Sequence, residues 1–181
     1  MLQKKFMDAI IHNRVEEVRY YLLNTNINPV INKHDPLKKA AFYGYSDIIS
    51  ILSQDNRIQI DYQNHIILKI AFEQNHIDTC TKILDIYLLQ LENYNDIFYK
   101  NHLTLCLYLN KNDILTTLIN KKNYSSNQLK EALIAAQYYQ DKWIIPLIIN
   151  NLDINEKWIN ENIEDNSYQK VIKSYIKITK F

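Results

Sequence analysis

With 181 residues, 47% of them hydrophobic and 23% charged, the chain is long enough for one domain or a short repeat array around a substantial core. A formal net charge of +1 gives no global electrostatic case for nucleic acid, and two cysteines make no disulfide framework. A fold of tight hairpins would want many glycines, so a single one argues for helices, some of whose turns must use Asn, the next residue most tolerant of positive φ.

Met1 to Asn13 has polar and charged residues where a signal peptide needs an uninterrupted apolar core. A spacing pattern begins in the same segment. Ala9 is followed by Asn13 and Glu16: a small residue, a turn former four places on, and an acid three places later. Ala40, Gly44 and Asp47 repeat that order after 31 residues, and Ala71, Asn75 and Asp78 after another 31. Around the second copy, Asp35 is placed to cap a helix and Pro36 takes its first position, where a missing N–H costs nothing. Gly44 suits the left-handed residue that closes the helix, and Asp47 puts a negative charge at the start of the next one.

Further along the period loosens. Cys106, Asn110 and Asp113 follow after 35 residues, so four extra residues fall between Asp85 and Asn101, where the second helix overruns into a longer loop. Ala135 gives a fifth match after 29, with Tyr139 at the turn and Lys142 in place of the acid. Ser125 and Gln128 offer its first helix a capping box. Trp143 to Ile149 is the most apolar short run, is broken by Pro146, and is far below the ~18 residues of a membrane span. From Asp153 onward two helical patterns suit a C-terminal cap. The reading is an all-α chain, soluble and intracellular (the cytoplasm of the producing or a host cell).

Helices this short are unstable alone, because nucleation dominates below ~12–15 residues. Their core is expected from Ile48, Ile49, Ile51 and Leu52, then Ile77, Cys80, Ile83 and Leu84, then Ile114, Leu115, Leu118 and Ile119. Ala40, Ala41 and Ala71 are small because helices approach closely there.

No catalytic constellation emerges from His12, His34, His65, His76 and His102, and one glycine cannot build a phosphate loop. Cys80 and Cys106 fall at apolar positions and read as core thiols rather than metal ligands. His34 and His65, 31 apart, read as partly exposed turn residues; a metal site would need a further ligand. Lys170, Lys173, Lys177 and Lys180 share one helix face, read as the solvated side of a cap rather than a membrane or nucleic-acid contact.

The segment Asp35-Pro36-Leu37-Lys38-Lys39-Ala40 resembles the Thr-Pro-Leu-His-x-Ala opening of an ankyrin repeat, with Pro36, Leu37 and Ala40 matching, Asp35 in place of Thr and Lys38 in place of His. Ile66 to Ala71 and Asn101 to Cys106 are more degenerate versions. The resemblance covers roughly residues 3–150 and implies an ankyrin-type solenoid of four to five helix-turn-helix repeats: 3–33, 34–64, 65–99, 100–127 and 128–152, with a cap at 153–181, all one domain. Loss of the family's Thr–His pair removes its usual tie between neighbouring repeats. Other α-solenoids or a helical bundle are the alternative architectures.

The resemblance also implies the work. In ankyrin arrays a partner docks on the concave face, which includes the two residues before each turn. Here these are Phe42 and Tyr43, Glu73 and Gln74, Tyr108 and Leu109, then Gln137 and Tyr138, with Ile11 and His12 as the first pair. Aromatic anchors at such places carry much interface energy. The implied function is a non-enzymatic protein-binding module without cofactor, metal, small-molecule substrate, nucleic acid or membrane. The abundance of Asn, Ile, Lys and Tyr points to an AT-rich genome and, by association, to a host-interaction factor of a virus or intracellular pathogen. The alternatives are an enzyme with an unrecognised site, or a structural subunit held by the 85–101 insertion through Tyr87, Tyr94, Phe98 and Tyr99.

Overall fold

The computed structural model describes residues 1–60, 62–91 and 101–179, and every regular element among them is helical. Contacts divide the chain into two compact units, Met1–Gln90 and Leu91–Phe181. The first holds α1 (Leu2–Ile11), α2 (Val15–Asn24), α3 (Ile31–Tyr43), α4 (Ser46–Ser53), α5 (Tyr62–Glu73) and α6 (Ile77–Leu91). In it α1 pairs with α2 and α3 with α4, while α3 lies between α1 and α5 and α2 lies against α4.

One turn recurs, and local chemistry explains it. Asn13, Gly44 and Asn75 all have positive φ, at 53°, 76° and 60°. Each directs the next amide back to the small residue: Arg14 N–H to Ala9 (2.8 Å), Tyr45 N–H to Ala40 (2.9 Å) and His76 N–H to Ala71 (2.9 Å). These bonds satisfy carbonyls that a helix end would otherwise leave open. The expected second-helix core is buried at Ile48, Ile49, Ile51, Leu52, Cys80, Ile83 and Leu84, whereas Ile77 is only half-buried. As expected for the overrun, α6 extends to Leu91, while Tyr94, Phe98 and Tyr99 of the insertion lie outside the described residues.

The start of α3 differs from the sequence reading. Asn32, Lys33 and His34 are three successive left-handed residues (φ 49°, 58° and 64°), and regular helix begins only after them. Asp35 makes no capping bond; the left-handed run brings the chain in, and Pro36 still falls in the first regular turn, buried. The same run turns His34 inward to 7% exposure, so it is a buried group rather than a partly exposed one. His65 repeats the left-handed conformation at φ 60° and sets its ring edge-on to Tyr87, 5.0 Å between centroids.

Burial, and then the charge of Lys38, holds the His34 imidazole below its ordinary pKa of 6.5. The unfolded chain therefore takes up a proton more readily, and this part of the stability is complete above about pH 6.5 and is lost as pH falls through the lowered folded value. Thermal melts from pH 7.5 to 5 should show a falling melting temperature. His34→Asn, which keeps a residue tolerant of positive φ, should flatten the fall; an unchanged slope would refute the assignment.

The second unit holds α7 (His102–Tyr108), α8 (Asn112–Lys121), α9 (Ser126–Tyr139), a 3-10 turn at Lys142–Ile144, α10 (Ile145–Ile149), α11 (Glu156–Asn162) and α12 (Asn166–Thr179). Ser125 and Gln128 form the expected capping box, and Asn101 with Thr104 forms another. Asn110 makes the fourth turn at φ 53°, with Lys111 N–H on the Cys106 carbonyl at 2.9 Å. The fifth turn is displaced by one residue from the sequence expectation. Gln140, not Tyr139, has positive φ (58°), and Asp141 N–H returns to Ala136 rather than to Ala135. The small pair Ala135–Ala136 leaves the register open, and the hydrogen bond selects the second alanine.

The two helices expected after Asp153 are α11 and α12. Gln137 is buried, and its side-chain oxygen accepts from Glu164 N–H at 3.0 Å. The buried Tyr168 donates its hydroxyl to the Ala136 carbonyl at 2.9 Å, so the end of α9 is closed by residues 164–168. Asp165 starts α12 by accepting from Ser167 and Tyr168 amides, and its hydrogen bond with the Ser167 side chain leads the causes that pull its pKa down to about 2.

Both cysteines are buried and unbridged, and desolvation pushes the Cys80 thiol up to about 12. The thiolate is the reactive form, so native protein should resist a thiol reagent at pH 8 and react only at the rate of opening. Stoichiometric labelling within seconds without denaturant would contradict the core placement.

Candidate functional site

In the first unit the outward stripes of α1, α3 and α5 follow steps of three and four, and so occupy one helix face each. On α3 the stripe is Asp35, Lys38, Lys39, Phe42 and Tyr43, none of them buried. The opposite stripe, Pro36, Leu37, Ala40 and Ala41, is buried against the neighbours. Equivalent stripes carry Lys4, Met7, Asp8 and Ile11 on α1 with His12 just past its end, and Ile66, Lys69, Ile70 and Glu73 on α5 with Gln74 just past its end.

Phe42 is 46% and Tyr43 37% exposed, both at the last turn of α3. Their rings meet edge-on at 5.2 Å, and Tyr43 stacks on Tyr45 at 5.5 Å and 24°. Tyr43 thus touches a ring on either side, and the three residues form an apolar projection at the end of the helix.

The projection is held from both sides by residues that follow the turns. Tyr45 donates its hydroxyl to the Ile11 carbonyl at 3.3 Å, and His76 donates through Nε2 to the Phe42 carbonyl at 3.0 Å. The two bonds are equivalent, since donors and acceptors are both 31 residues apart. Thr79 adds a hydroxyl bond to the Gly44 carbonyl at 2.9 Å. His76 also explains why position 44 is glycine, because a Cβ there would lie 2.6 Å from its Nδ1. Tyr45 and His76 were not among the residues singled out from sequence. Their 31-residue spacing was the available signal, but tyrosine and histidine share no obvious role until their donors are placed.

The other candidates have different settings. Glu73 is exposed and pairs with Lys69 at 3.6 Å, an i,i+4 contact of small energetic value, and Gln74 is exposed beside it. Ile11 is half-buried and His12 exposed, with His12 and Arg14 both turned to Asp8. In the second unit Tyr108 is 47% and Tyr138 54% exposed, Leu109 is half-buried, and Gln137 is withdrawn into the contact described above. The one-residue shift makes Tyr138 and Tyr139 the pair before the fifth turn. Leu103 to Leu107 of α7 are all buried, so α7 offers an open surface only at its end.

Tyr87 of the insertion is buried and donates its hydroxyl to Ile60 at 3.0 Å, a bond internal to the first unit. On α12, Lys170 and Lys177 are exposed, Lys173 reaches Asn160 at 2.7 Å, and Lys180 lies outside the described residues. Among the described residues no group of three His, Cys, Asp or Glu is placed to hold a metal ion, and no helix is long and apolar enough to cross a membrane. Comparison with protein-family models, curated proteins and solved structures finds no match to this chain.

Proposed function

We propose that the chain is a divergent ankyrin-type repeat protein and a non-enzymatic module that binds a protein partner through the outward faces of its first helices. The observation that carries this reading is the Phe42–Tyr43–Tyr45 ring cluster, exposed at the end of α3, with its Tyr45 ring anchored to the Ile11 carbonyl and the Phe42 backbone held by His76. Large rings fixed before binding lose little freedom on contact, which is the property of an interface anchor. The repeated turn with its small residue, left-handed residue and returning amide supports the ankyrin comparison. The Tyr45 and His76 bonds join neighbouring hairpins at the turns, at the opposite end of the first helix from Asp35 and Lys38, which replace the Thr–His pair. A host-interaction role for the partner is the reading the biased composition favours.

The test is capture of partners from the native cell type by wild type and by Phe42→Ala/Tyr43→Ala, with Tyr108→Ala alongside, identified by mass spectrometry. The double variant should keep its melting temperature within about 2 °C and lose at least tenfold in affinity for a captured partner, since anchor truncations cost ≥ ~2 kcal/mol. Undiminished capture by the folded double and triple variants would eliminate the first-helix face as the binding surface.

A further inference from the structure

We draw no further inference here: the strongest candidate, the exposed Tyr20 and Leu23 on α2 beside a groove between α2 and α4 lined by Leu22, Leu23, Ile51 and Arg19, is an apolar patch on the second helices of the first unit, and nothing in the structure shows what covers it.

Discussion

Gly44→Ala is expected to lower the melting temperature by about 5–15 °C. Two costs combine. A side chain in the left-handed conformation costs roughly 1–2 kcal/mol, and φ at Gly44 is 76°. The added Cβ would also meet the His76 ring at 2.6–2.9 Å, and overpacking of that kind costs ~1–3 kcal/mol. For a chain of this size each kcal/mol moves the midpoint by roughly 2–4 °C. His76 can retreat only by giving up its bond to the Phe42 carbonyl, so the variant should also loosen the ring cluster. Gly44→Asn separates the two costs, because asparagine tolerates the backbone and not the contact. It should remain clearly destabilised, and Gly44→Ala/His76→Ala should recover part of the loss. If Gly44→Asn melts like wild type, the close stack of His76 on this turn is not a feature of the protein in solution.

Ala40→Leu should cost ~1–3 kcal/mol, since three further carbons must enter a fully buried site between packed helices. That corresponds to a fall of roughly 2–10 °C in the melting temperature. Ala40 faces α3's neighbours from the buried stripe, and its carbonyl receives the Tyr45 amide. Moving its backbone therefore disturbs the turn as well as the core. Lys38→Leu, on the outward stripe of the same helix, is the control, and should change the midpoint little. An unchanged melting temperature for Ala40→Leu would remove the register on which every equivalent position rests.

Four of the five turns were legible in the sequence because the signal is local. A small residue and a left-handed residue four places apart are fixed by one hydrogen-bonded motif, and Asn13, Gly44, Asn75 and Asn110 are all residues that tolerate positive φ. The fifth was displaced because Gln140 carries no such signature and Ala135–Ala136 allows either register. The entry to α3 was illegible for a related reason. Lys33 has no preference for positive φ, and single tolerant residues such as Asn32 and His34 more often mark one turn, so the residue types do not announce a run of three that turns His34 inward. At the candidate site, the exposure of Phe42 and Tyr43 followed from helix periodicity. The bonds that hold them did not, because they join side chains to backbone carbonyls 34 residues away, and such acceptors have no sequence identity.

The turn at Gly44 bears on how the chain is written in nucleic acid. Glycine is encoded only by codons beginning with two guanines, whereas asparagine codons begin with two adenines. Asparagine supplies the left-handed residue at three turns and glutamine at a fourth, so the motif does not itself require guanine-rich codons. Position 44 is the exception, since the His76 ring occupies the space of a Cβ. In a chain whose composition is tilted toward adenine and thymine, the only glycine stands where a neighbouring imidazole leaves no room for the residue that serves elsewhere.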